Sequence, residues 1–146
     1  MIYRLLFSLI FVSLLFSCGG GGGGSDSGNT VPNPFPNIKV FSIYAEGCFG
    51  TVGFQIECDI PPTIKGQDIS IEKGDSIKSW ELSSSVINGK LRIVAYNTNL
   101  LPMNSNNKIL LFKIKAPEGT EISNITEKFV DISGVVIDSA NVILEQ

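Results

Sequence analysis

From Ile38 onward the chain alternates apolar and polar residues in short runs separated by Gly, Pro, Asn and Asp. Alternation with a period of two places successive side chains on opposite faces of an extended strand, so the pattern predicts β-structure rather than helices, whose apolar positions recur about every 3.6 residues. The run GFQIECDI shows it best. Phe54, Ile56, Cys58 and Ile60 fall on one face and Gln55, Glu57 and Asp59 on the other, which predicts a strand buried on one side and wet on the other. In SWELSSSVINGKLRIVAYN, Asn88-Gly89 stands between two strand-like runs, and this dipeptide favours a two-residue type I′ hairpin because both central positions need a positive φ. Setting Ile87 opposite Lys90 fixes the register. Leu82, Ser84 and Val86 then lie across from Ala95, Ile93 and Leu91, while Glu81 faces Tyr96 and Ser83 faces Val94 on the other side. Three further runs, NKILLFKIKAP, EISNITEKFVDI and GVVIDSANVILE, extend the pattern, with Gly134 in the bend between the last two. In the first of these, Leu110, Phe112 and Ile114 alternate with Ile109, Leu111, Lys113 and Lys115. Its outer face starts apolar, so the tether or a neighbouring strand is expected to cover part of it. The expected fold is all-β, a two-sheet jelly-roll sandwich of about eight or nine strands over residues 38–146.

The first 37 residues break this pattern. Leu5–Phe16 is an apolar run interrupted by Ser8 and Ser13 and preceded by Arg4. It is too short for a bilayer, which takes roughly 20 apolar residues, and a basic start before a short apolar core reads as a secretory signal. The closing LLFSC resembles the lipobox of bacterial lipoproteins, in which the signal is cut just before a cysteine that then receives lipid. That resemblance implies a leader over residues 1–17, a lipidated Cys18, and an exported protein anchored in the cell envelope, at the outer membrane or cell surface, by acyl chains instead of a spanning helix. The other reading is a plain signal peptide cut elsewhere, with Cys18 incidental. Residues 18–37 follow as a tether: Gly19–Gly24 lose much entropy on ordering, and Pro32, Pro34 and Pro36 block regular pairing. Residues 19–37 reach at most ~60 Å when stretched and average ~25 Å as a flexible coil. Phe35 either stays in the tether or packs back on the domain as an edge strand.

Composition narrows the chemistry. With 146 residues and 43% hydrophobic content, the chain suits a single core. Eleven basic residues against 14 acidic ones, with no histidine and no basic run, argue against a phosphate backbone, so no nucleic-acid partner is expected. There is no histidine to act as general base, no metal-ligand spacing and no phosphate-cradling glycine loop; no catalytic residue, metal or cofactor is expected. Glu57 and Asp59 share a strand face as paired carboxylates of a glycosidase would, but such neighbours on a wet face are ordinarily solvated charges. Asp131 and Asp138, beside a bend, read as aspartates bonding their own backbone rather than as calcium ligands. With Cys18 assigned to lipid, Cys48 and Cys58 flank the bend at Gly50–Gly53 and are expected to form a disulfide in an oxidising compartment. The alternative makes Cys58 a small buried apolar side chain.

Four stretches together, GTVGFQIECDIPPTI, SSVINGKLRIVAYNT, NKILLFKIKAPEGT and FVDISGVVIDSANVIL, resemble in order and spacing the cohesin domain, the sandwich module that binds dockerins in bacterial assemblies. The resemblance implies a jelly-roll sandwich shared with one group of carbohydrate-binding modules, and so speaks more to fold than to ligand. It implies that GFQIECD and KLRIVAY lie side by side on a flat sheet face used for contact with a dockerin-type protein. Gln55, Glu57, Asp59, Arg92, Val94 and Tyr96, the outward positions of those runs, are then the candidate partner-binding face. Similarity to carbohydrate-binding modules implies an alternative, a polysaccharide stacked on Trp80 and Tyr96. The residues themselves put Trp80 at a strand start, where it plugs the end of the core. A protein partner is preferred because the derived face is polar and lacks three aligned aromatics. A third reading is a structural envelope component whose sheet face docks to a secretion or pilus assembly. All three are binding roles, and none is enzymatic.

Overall fold

The computed structural model describes residues 37–146. The leader, Cys18 and the tether as far as Pro36 lie outside the described residues. Eight strands follow in order: β1 (Ile38–Glu46), β2 (Gly53–Asp59), β3 (Ser70–Lys73), β4 (Glu81–Ile87), β5 (Lys90–Tyr96), β6 (Ile109–Pro117), β7 (Ser123–Val130) and β8 (Asn141–Glu145). They form two four-stranded antiparallel sheets, the first in the order β3-β6-β1-β8 and the second β4-β5-β2-β7. This is the expected β-sandwich, at eight strands.

The β4–β5 hairpin turns where the Asn-Gly dipeptide requires it, with φ of 53° at Asn88 and 75° at Gly89. Its register pairs Glu81 with Tyr96, Ser83 with Val94 and Val86 with Leu91, as the alternation demands. On β6 the alternation is interrupted. Ile43 pairs with Phe112 but the next residue, Tyr44, pairs with Leu110, so Leu111 is the extra residue of a β-bulge. Leu111 is completely buried, which explains how consecutive apolar residues fit one strand: the bulge turns a side chain that alternation would expose into the core. Gly74 makes room for this, since its N–H donates to the Leu111 carbonyl at 2.7 Å and a Cβ there would lie 2.3 Å from the Leu110 oxygen.

The core lies between the sheets. Phe41, Ile43 and Ala45 of β1 with Phe112, Ile114 and Ala116 of β6 face Phe54, Ile56 and Cys58 of β2, Leu91, Ile93 and Ala95 of β5, and Phe129 of β7, all buried. Phe54 joins the two layers. Its ring stacks on Phe112 of the opposite sheet at 6.1 Å between centroids and is tilted against Phe129 at 5.5 Å and Trp80 at 6.0 Å. The described residues thus enclose a hydrophobic core of their own.

Removing the Phe112 ring leaves a cavity between the sheets, and Phe112→Ala is expected to lower the unfolding free energy by about 3–5 kcal/mol, read as an earlier urea midpoint. Thr51 tests the opposite sign. Its buried hydroxyl has no hydrogen-bond partner, so Thr51→Val, which keeps the shape and removes the unpaired oxygen, is expected to leave stability unchanged or raise it by about 1 kcal/mol in the same titration.

Candidate functional site

The outer face of the second sheet collects the outward side chains of its four strands. β2 lies between β5 and β7, with Gln55 opposite Val94, Glu57 opposite Arg92 and Asp59 opposite Lys90 on one side. On the other side Gln55 meets Lys128 and Glu57 meets Thr126. This arrangement brings all six face residues expected from alternation, Gln55, Glu57, Asp59, Arg92, Val94 and Tyr96, onto one surface.

Those side chains bond one another across the strands. Arg92 Nε donates to Glu57 Oε1 at 2.6 Å, and Gln55 Nε2 donates to the same oxygen at 2.9 Å. One rung further, Lys90 Nζ donates to Asp59 Oδ1 at 2.7 Å and Asn124 Nδ2 to Asp59 Oδ2 at 2.8 Å. The hydrogen bond from Lys90, followed by the one from Asn124, holds the Asp59 carboxyl below the usual carboxylate range, and the same bond raises the Lys90 ammonium. Both groups are therefore charged at neutral pH. Exposed pairs of this kind add little to stability; their effect is to hold long side chains in fixed positions.

Toward the far end of the sheet the character changes. Tyr96 stands opposite Gly53, which has no side chain to cover it, and is 52% exposed. Beside it lies a shallow hollow of about 310 Å³, lined among others by Gly53, Gln55, Val94, Tyr96, Lys128 and Val130. A second hollow of about 300 Å³ at the hairpin end is lined by Glu57, Ser85, Ile87, Asn88, Lys90 and Arg92. The surface offers hydrogen bonds, fixed charge and one aromatic ring beside apolar Val94 and Val130. It has no histidine, and among the described residues no group of three His, Cys, Asp or Glu side chains could hold a metal ion.

No protein-family model matches this chain. No curated protein matches it either. Among solved structures it is similar to a non-cellulosomal cohesin from the hyperthermophilic archaeon Archaeoglobus fulgidus, with a TM-score of 0.52 and 10% sequence identity over 69% of this chain and 72% of that one. The fold is cohesin-like. At 10% identity the likeness concerns the course of the backbone, and the chemistry of the face must be read from this chain's own side chains.

Lys90, Ile87, Lys128, Val130 and Asn124 belong to the same surface but were not among the expected site residues. The hairpin register already placed Lys90 and Ile87 beside the others. Lys128, Val130 and Asn124 depend on β7 pairing with β2, for which the sequence carries no local signal.

Two expectations need correction. Trp80 is not part of a sugar platform: it is only 3% exposed and its ring lies against Phe54 in the core, as expected of a large apolar ring at a strand start, which leaves Tyr96 alone on the face. The Cys48–Cys58 disulfide is not formed, and both thiols are free and buried. Cys48 sits in the turn just before β2, where the Thr51 N–H donates to its carbonyl, whereas Cys58 is near the other end of that strand. At ~3.3 Å per residue the strand keeps them roughly 15–20 Å apart, and a disulfide needs Cα atoms within about 7 Å. Asp131 is a backbone-bonding aspartate, its Oδ1 accepting the N–H groups of Ser133 at 2.8 Å and Val135 at 2.9 Å.

Burial pushes both thiols up to about 11, with Glu46 adding to the effect at Cys48 and Asp59 at Cys58. A raised folded pKa on an acid means the native state keeps its proton while the unfolded chain gives it up, so stability falls as pH rises from about 9 toward 11. We expect a shallower alkaline decline in the Cys48→Ala, Cys58→Ala double variant, followed by urea midpoint across that pH range. Thiol reagent should label neither cysteine in the native domain and both after denaturation without reductant; silence after denaturation would show a bridge.

Proposed function

We propose that this domain is a non-catalytic binding module that meets a protein partner of dockerin type on the outer face of the second sheet. Tyr96 carries the reading. It is a half-exposed aromatic placed over a side-chain-free glycine, flanked by Val94 and Val130 and bordered by Lys128 and Gln55. Protein interfaces concentrate binding energy in such an anchor within a polar rim. The cross-strand pairs of Arg92 with Glu57 and Lys90 with Asp59 present charge in a fixed pattern, which favours selection among partners more than raw affinity. With Trp80 buried, a sugar would find one ring where a stacking platform needs several. The cohesin-like fold supports the same reading, because the protein it resembles in structure is itself a cohesin.

The proposal extends to the N-terminus. Residues 1–17 serve as a leader, Cys18 carries lipid, and residues 18–37 tether the domain to the cell envelope. The apolar run ending in LLFSC supports this.

Binding to dockerin-type modules, measured by calorimetry, is expected to weaken at least ~30-fold in Tyr96→Ala, the loss typical of a central anchor. Lys115→Ala, on the first sheet, should bind as the unchanged protein does. Undiminished binding by Tyr96→Ala, or a glycan-array signal in place of any protein partner, would overturn the assignment. For the anchor, Cys18→Ser is expected to move the protein from the membrane fraction to the soluble fraction. A mature chain whose mass shows an unmodified N-terminus other than Cys18 would contradict it.

A further inference from the structure

At one end of the sandwich three loops present large apolar side chains to solvent. The loop between β1 and β2 carries Phe49, 58% exposed; the loop after β5 carries Leu100 and Leu101, 53% and 64% exposed; and the loop after β7 carries Ile132, Val135 and Val136, between 42% and 65% exposed. Backbone hydrogen bonds bring the loops together: Gly50 N–H donates to Met103 O, Met103 N–H to Thr51 O, Asn97 N–H to Val52 O and Val52 N–H to Val130 O. Each loop also turns at a left-handed residue, Gly50, Leu100 or Gly134. At Leu100 the φ of 54° is strained, since a bulky side chain rarely adopts it. A strained backbone is thus retained where its result is an exposed leucine pair, held in place by the bond from Leu100 N–H to Asn97 O and by that from Asn99 N–H to Asn97 Oδ1. Among residues 47–52, 97–103 and 131–136 the single charged side chain is Asp131, which accepts bonds from its own loop.

We infer that this end of the domain inserts its loop tips shallowly into a lipid surface. Separate apolar tips without lysine or arginine between them suit the acyl-headgroup boundary of a bilayer, where affinity follows buried apolar area and needs no anionic lipid. The chain outside the described residues supplies the reason a bilayer is at hand. On the reading of Cys18 as lipid-bearing, on which this inference rests, the tether starts at a membrane and ends at Asn37. The nine residues of β1 separate Asn37 from the loop end, roughly 30 Å at ~3.3 Å per residue. A tether that stretches to ~60 Å covers that length. The same leaflet that holds the lipid can therefore receive the loops, and the domain then stands end-on to the membrane with the outer face around Arg92 and Glu57 clear of the lipid.

The test separates the loops from the anchor by using a chain that starts at Gly19 and has neither leader nor lipid. Flotation with phosphatidylcholine vesicles is expected to carry this chain, and raising the salt concentration should not release it. Leu100→Gly combined with Leu101→Ser should reduce the vesicle-bound fraction at least tenfold. Because glycine relaxes the left-handed position, that variant should also keep the urea midpoint of the unchanged chain, which separates lost insertion from lost folding. Phe49→Ser serves as a second variant in a different loop. Lys115→Ala, away from the loop end, should float normally. Failure of the unchanged chain to float, equal flotation by the loop variants, or loop-dependent dimers in sedimentation without vesicle binding would each overturn the inference. None of these outcomes depends on whether Cys18 is lipidated, which fractionation of Cys18→Ser decides separately.

Discussion

Burial of the Phe54 ring is the constraint on which the rest of the molecule depends. That ring packs against aromatic rings of both layers, Phe112 across the sandwich and Phe129 and Trp80 beside it. Because Phe54 must point inward, the pleat of β2 forces Gln55, Glu57 and Asp59 outward, and a slip of one residue would expose Phe54 while burying two carboxylates. Ring packing between the sheets therefore determines which charges reach the surface. Antiparallel pairing on both sides of β2 then sets each outward residue beside a defined neighbour, so the ladder of Arg92, Glu57, Lys90 and Asp59 follows from the core.

This dependence explains which parts of the fold could be read from the chain. Strand β2, the β4–β5 hairpin and their outward residues were legible because each rests on a local signal: strict alternation in one case and the φ requirement of Asn-Gly in the other. The bulge at Leu111 was not. Its cause is non-local, the fit of Gly74 against the β6 backbone and the gain from burying one more leucine. The Cys48–Cys58 pairing failed for a related reason. Ten residues in sequence suggest proximity when a bend lies between them, but most of that interval is the extended strand itself. Trp80 could be read only as a pair of alternatives, and the presence of Phe54 beneath it decided between them.

Each end of the sandwich has a different polarity. Asn37, the hairpin at Asn88-Gly89 and the turn at Pro117–Thr120 lie toward one end, since β1 begins opposite Pro117 and β2 ends opposite Lys90. The opposite end holds the loops with Phe49, Leu100 and Ile132. Tyr96 belongs to that second end, because it pairs with Gly53 at the start of β2. The outer face thus grades from paired charges near the hairpin to an aromatic and two valines near the apolar loops. A ring that carries a hydroxyl suits such a boundary, because it combines an apolar body with a polar tip.

A cohesin-like backbone at 10% identity also has a physical reading. Sandwich cores tolerate wide exchange among apolar residues as long as volume and alternation are kept, so a shared fold requires little shared sequence. Outward positions carry no such constraint and answer to whatever they touch. In this chain they have been arranged so that the carboxylates of Glu57 and Asp59 each accept two side-chain donors from the same surface. A partner that competed for those carboxylates would first have to break existing bonds and gain little in exchange. Tyr96, Val94 and Val130 have no comparable cross-strand bonds to give up, and covering them removes apolar area from water. On the proposed reading of this face as a partner surface, the binding energy would therefore come mainly from Tyr96, Val94 and Val130, while the paired charges would act mainly to exclude partners whose own charges do not fit the pattern.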